Sequence, residues 1–161
     1  MTNERKGQPL TKSEYDVLLF YARENSKKRI KKEVSEPQED IRIIWNAVLP
    51  DSYIRPHKHE NCHTPDILTA LKGYFRLFIF DDEGKVTDAT LVSRGKVVEI
   101  PANTWHSVVA LSPCVYSEEE REFEKREVFP NWAPKEETPE GEIYLEELRE
   151  REAVDKKESQ G

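Results

Sequence analysis

The chain has 161 residues, 36% hydrophobic and 35% charged, a length that suits one domain and a composition that leaves a compact centre between polar ends. Its formal charge of −7 gathers in residues 117–161, where 16 Asp/Glu face 8 Lys/Arg, so no concentrated positive face remains for a nucleic-acid backbone. Two cysteines, no apolar N-terminal h-region and no run of about 18 apolar residues exclude a disulfide scaffold and predict a cytoplasmic protein without signal or membrane span.

Residues 1–10 read as a polar leader. Thr11 or Ser13 caps a predicted helix running to about Asn25, with Tyr15, Leu18, Leu19 and Ala22 on one apolar stripe. The basic run KKRIKK, residues 27–32, reads as a solvated helix end or loop, with a grip on an anionic ligand as the second reading. From Ile41 short segments rich in Ile, Val, Phe and Tyr alternate with turn signals: IRIIWNAVL, YIRPHKH, DILTALKGYFRLFIF, VTDATLV, KVVEI and WHSVVAL. Asp81-Asp82-Glu83-Gly84 is a hairpin turn by composition. Such a series predicts a sandwich or barrel rather than βαβ units. After Pro113 the pattern decays into the acidic SEEEREFEKRE, and Trp132 is expected to pack back on the domain. EIYLEELREREAV reads as an amphipathic helix on Ile143, Leu145 and Leu148 or as a disordered tail, and the last ten residues as disordered. The division is a helical and basic lead-in at 1–36, a barrel at 37–137 and an acidic tail at 138–161.

The chemistry concentrates in Pro56-His57-Lys58-His59. On a strand, side chains two apart share a face, so His57 and His59 converge as two metal-binding imidazoles must. Tyr53 and Arg55 have the same parity and are expected to face the same interior, a phenol and a guanidinium beside the metal. His106 closes the turn Glu99-Ile100-Pro101-Ala102-Asn103-Thr104-Trp105-His106 and enters an apolar strand. Three histidines with a carboxylate make a mixed site suited to one divalent transition metal: Fe, Mn, Ni, Zn or Cu. Asp66 is the expected fourth ligand, with Glu60 and His63 as rivals and Cys62 more distant.

These residues resemble the two motifs of the cupin superfamily. Gly95-KVVEI-Pro101-Ala102-Asn103-Thr104-Trp105-His106 matches the spacing of the second motif, with Asn103 where a glycine is usual; both tolerate positive φ. Ala110 replaces its final Asn. The first motif is looser: Asp51 stands at its opening glycine, six residues separate His59 from Asp66, and Asp66 replaces the usual Glu with Gly73 in place. A closer resemblance is to the WbuC-type cupin metalloproteins, carried by Pro50–His59, Phe80–Gly84, Glu99–His106, Val109–Leu111 and Trp132-Ala133-Pro134-Lys135-Glu136. That family's basic segment before the barrel usually ends in an Asn and a His, and residues 23–36 lack the His. The resemblance implies an all-β cupin (double-stranded β-helix or jelly-roll) barrel with an N-terminal helix and a polar, partly helical or disordered C-terminal tail. It also implies a link to polysaccharide biosynthesis.

The function expected is metal-assisted isomerisation, epimerisation or dioxygenation of a small polar ligand, sugar derivatives among the candidates. Arg55 would clamp a carboxylate or phosphate and Tyr53 would move a proton. The alternatives are a non-catalytic metal or sugar-binding module, a metal-free sugar epimerase or ketoisomerase, and a structural protein working through its tail. The apolar strands VVEI and SVVAL read as buried on both sides, and the partners expected are a small molecule and a second copy of the chain.

Overall fold

The computed structural model describes residues 10–36, 40–122 and 125–151; the predicted leader before Leu10 and the last ten residues lie outside them. Thr11 opens the first element. Its hydroxyl accepts the Glu14 N–H, and the Glu14 carboxylate accepts the Thr11 N–H at 2.9 Å, a capping box that starts helix α1 (Lys12–Glu24). Ten strands follow: β1 (Arg29–Glu33), β2 (Arg42–Val48), β3 (Lys58–Glu60), β4 (Asp66–Lys72), β5 (Tyr74–Phe80), β6 (Val86–Ser93), β7 (Val97–Ile100), β8 (Trp105–Ala110), β9 (Cys114–Glu120) and β10 (Arg126–Val128). Helix α2 (Pro139–Glu150) is the last described element.

All pairings are antiparallel. Five strands form one sheet in the order β1-β2-β9-β4-β7, three form a second, β6-β5-β8, and β10 pairs with β3. The alternation of side chains along each strand sorts the core into layers. Leu68, Phe75, Leu77, Val92, Val108 and Tyr116 come from both sheets and fill the space between them. On the outer face of the larger sheet, Leu18, Leu19 and Ala22 of α1 pack on Trp45, Ala47 and Val115. On the outer face of the smaller one, Leu145 and Leu148 of α2 pack on Phe78, Phe80 and Val109. Each helix thus covers the apolar back of one sheet, which is why a mostly β chain carries an amphipathic helix at each end.

Five local expectations are corrected. Only Lys27 and Lys28 of KKRIKK lie in a turn: residues 29–33 form β1, hydrogen-bonded along β2. The acidic run does not decay after Pro113, because β9 continues through Glu120 between β2 and β4. YIRPHKH is not one strand; residues 53–56 are unladdered, Pro56 has no N–H to donate, and β3 starts only at Lys58. Ile143 is 61% exposed, since α2 docks through Gly141, Leu145 and Leu148 instead. VVEI is β7, at the edge of its sheet, with Val97 56% exposed. The turn between β4 and β5 needs its glycine: at Gly73, φ +72°, a Cβ would lie 2.3 Å from the Pro113 carbonyl oxygen. Among the described residues no helix is long and apolar enough to cross a membrane.

Candidate metal centre

His57, just before β3, and His106, in β8, are opposed across an antiparallel bridge. The His57 N–H donates to the His106 carbonyl at 3.1 Å, and the His106 N–H donates back at 2.9 Å. Directly opposed residues project on the same face, and the two rings are 4.4 Å apart. His59, two residues along, shares the parity of His57; its ring lies 5.2 Å from that of His57 and 5.4 Å from that of His106. One nitrogen from each histidine falls within 4.8 Å of the other two.

Each ring is held from behind by an oxygen. His57 Nδ1 is 2.8 Å from the Arg55 carbonyl and His106 Nδ1 is 2.9 Å from the Thr104 carbonyl, so in both the Nδ1 donates and Nε2 keeps its lone pair. His59 Nδ1 faces Asp66 Oδ2 at 3.6 Å. Burial holds His57 below the usual imidazole range, and burial with the charge of the neighbouring rings holds His106 well below it. Neutral imidazoles with free Nε2 atoms are the donor form that a borderline divalent cation takes. The residues fit such an ion.

The rings line a cavity of about 380 Å³. Its larger wall is the inward face of β1, β2 and β9, whose rows follow from the register: Lys31 lies beside Asn46, Asn46 beside Tyr116, and Glu118 beside Leu68. Glu118 and Glu120 line the cavity, and with Asp66 they bring carboxylate oxygens within 4.8 Å of one another. Lys125 Nζ sits in this group, 2.7 Å from both Asp66 oxygens and 3.7 Å from Glu120. Burial, then the charges of Glu120 and Asp66, push the Glu118 carboxyl up to about 8, and Asn46 Nδ2 donates to its Oε1 at 3.5 Å. Lys27, Arg29 and Lys31 are also in the lining, the first two paired with Glu136 at 3.2 and 2.8 Å.

The structure brings the three histidines together and sets the other expected site residues apart from their free nitrogens. Asp66 lies behind His59 on its Nδ1 side, outside the histidine group. Tyr53 turns away from the cavity lining: its hydroxyl donates to the Pro134 carbonyl at 2.7 Å, and its ring meets Tyr144 of α2. Arg55 places its guanidinium over Phe129 at 4.8 Å and donates to the Pro130 carbonyl; its main-chain oxygen is what serves the centre, through His57. The strand parity that grouped Tyr53 and Arg55 with the histidines fails because no ladder holds residues 53–56. Glu60 pairs with Arg126, His63 with Glu122, and the Cys62 thiol donates to the Thr64 carbonyl. Glu118, Glu120 and Lys125 were missed. The signal is the inward alternation of Cys114, Tyr116, Glu118 and Glu120 along β9, hidden when the strand pattern is taken to decay after Pro113.

A family model described as "Domain of unknown function (DUF6016)" matches residues 10–92, just over half of the 161-residue chain. The chain belongs to the DUF6016 family. No curated protein matches this DUF6016 chain. Among solved structures it is similar to the Bacillus subtilis oxalate decarboxylase, a protein with Mn(II) centres, at 19% identity and a TM-score of 0.51. That likeness covers 63% of the DUF6016 chain, which spans only 27% of the decarboxylase's length. The conserved protein SPY1581 of unknown function from Streptococcus pyogenes is similar at 14% identity and a TM-score of 0.47, over 62% of this chain and 79% of its own. With its two packed antiparallel sheets and the decarboxylase likeness, the DUF6016 chain has the cupin fold.

Proposed function

We propose that this cupin domain holds one divalent transition metal on Nε2 of His57, His59 and His106 and uses it on a small polar substrate in the adjoining cavity. The observation that carries the reading is the grouping of the three histidines: one ring nitrogen from each lies within 4.8 Å of the other two, while Nδ1 of His57 and of His106 is taken by a main-chain carbonyl. The Mn(II) centres of the similar decarboxylase make Mn(II) the first metal to try. When bound, such an ion supplies Lewis-acid polarisation of a substrate oxygen and stabilises the charge that develops there.

The chain's own residues favour proton transfer, and so isomerisation or epimerisation, over dioxygenation. Glu118 lines the same cavity and accepts a hydrogen bond from Asn46, and burial with the charges of Glu120 and Asp66 pushes its carboxyl up to about 8, which places a carboxyl able to exchange a proton beside the substrate. Asn46, Tyr116 and Lys31 continue the polar wall beyond Glu118 and suit the hydroxyl-rich remainder of a sugar derivative, the substrate class to which the WbuC-type motifs point. Two measurements test this. Protein purified without a His tag should carry about one metal per chain, and metal-loaded protein in D2O should wash deuterium into the carbon next to the carbonyl of its sugar substrate, followed by NMR across nucleotide sugars and simple ketoses. Metal-free, folded protein sinks the metal; oxygen consumption without deuterium exchange sinks the proton-transfer reading in favour of dioxygenation.

A further inference from the structure

The position that should supply a fourth protein ligand is occupied by a residue already committed elsewhere. Both oxygens of Asp66 lie 2.7 Å from Lys125 Nζ, and the two side chains are almost wholly shielded, at 5% and 7% exposure. Asp66 Oδ2 also faces His59 on the Nδ1 side, 3.6 Å away. That is the place the Arg55 carbonyl takes behind His57 and the Thr104 carbonyl takes behind His106. Each of the three histidines therefore has an oxygen on its Nδ1 side, a main-chain carbonyl in hydrogen-bond contact for two and a carboxylate at the longer distance of 3.6 Å for His59.

We infer that Asp66 is a positioning residue rather than a ligand: clamped by Lys125, it fixes the ring of His59, and the metal has three protein ligands. This rests on the metal reading above. A doubly held carboxylate that left Lys125 would trade two contacts of 2.7 Å for the single, longer Glu120 contact at 3.7 Å as the buried ammonium's remaining partner, which disfavours its swinging round the imidazole to the metal. The consequence is chemical: an octahedral ion on three histidines keeps about three adjacent positions, room for a substrate that chelates through two oxygens and for one further water or ligand.

The test counts waters. Mn(II)-loaded wild-type protein should show about three bound waters by water-proton relaxation, the number an octahedral ion keeps beside three protein ligands. Asp66→Ala should keep that number while its Mn(II) affinity, from competition titration, falls about 10- to 100-fold, as for other lost partners of ligating histidines. Asp66→Asn should fall less, because the amide oxygen still accepts the Nδ1 proton. An additional bound water in Asp66→Ala, or an affinity equal to wild type, overturns the inference. Where Asp66→Ala fails to fold, Asp66→Asn combined with Lys125→Met removes both buried charges together and is read by the same water count, an additional water again overturning it. Wild-type protein that folds but takes up no Mn(II) overturns the metal reading itself, a distinct result.

Discussion

The main chains of His57 and His106 hold each other through two reciprocal hydrogen bonds, of 3.1 and 2.9 Å, while their rings stand 4.4 Å apart on one face. The link joining the two motifs is therefore independent of the imidazoles that would bind the ion. In His106→Ala the backbone bridge remains and one of three donors is lost. The expected outcome is unchanged far-UV circular dichroism with metal content falling from about one per chain to less than about a tenth, since the remaining two histidines make a much weaker site. Metal retained at full stoichiometry in this variant would remove the three-histidine centre.

Asn103 does two things that separate on mutation. Its φ of 52° is in the left-handed region, and its Nδ2 donates to the Cys62 carbonyl at 2.7 Å, tying the turn before β8 to the loop after β3. Asn103→Gly keeps the backbone freedom and loses the bond, at a cost of about 1 kcal/mol. Asn103→Ala loses both, at about 2 kcal/mol. Urea denaturation of the two variants checks the order, and an Asn103→Ala as stable as Asn103→Gly would show that the positive φ carries no strain.

Glu118 makes stability depend on pH. Burial, Glu120 and Asp66 raise its carboxyl from 4.5 to about 8. Between those values the folded chain holds a proton that the unfolded chain has released, so this contribution to stability falls as pH rises through the window and levels off above it. Glu118→Gln keeps the shape of the protonated acid and removes the slope. Relative to wild type it should be close to neutral at pH 4.5 and stabilised at pH 8.5 by about 4 kcal/mol. Melts at the two pH values measure this; the same difference at both would mean that Glu118 ionises as an ordinary surface carboxylate.

Helix α2 docks through one face only. Leu148 is 1% exposed among Phe78, Phe80 and Val109, whereas Ile143 is 61% exposed. Leu148→Ala should cost about 2–4 kcal/mol, as a buried cavity does, and Ile143→Ala less than about 0.5 kcal/mol. Chemical denaturation distinguishes them, and equal losses would place the helix in a different register.

Much of this was open to local reading. Thr11 with Glu14 spells a capping box, alternating apolar residues spell strands, and the Gly95–His106 spacing with Asn103 in the glycine position spells a tight turn into a histidine-bearing strand. These are contacts within a few residues, where sequence separation and spatial separation coincide. The pairing of His57 with His59 belongs here too, because period-2 geometry needs only one short extended stretch.

What lay beyond the sequence are the relations across the barrel. Period-2 reasoning carried Tyr53 and Arg55 toward the metal, and only the unladdered stretch at 53–56 turns them away. Nothing near Asp66 in the chain announces Lys125, 59 residues on, which claims both its oxygens. A run of three glutamates reads as solvated until β9 is seen between two neighbours, with Glu118 and Glu120 turned inward and Glu119 on the opposite parity. The physical reason is common to all three. Strand register and barrel closure decide which side chain meets which, and those depend on packing summed over the whole chain rather than on any local motif.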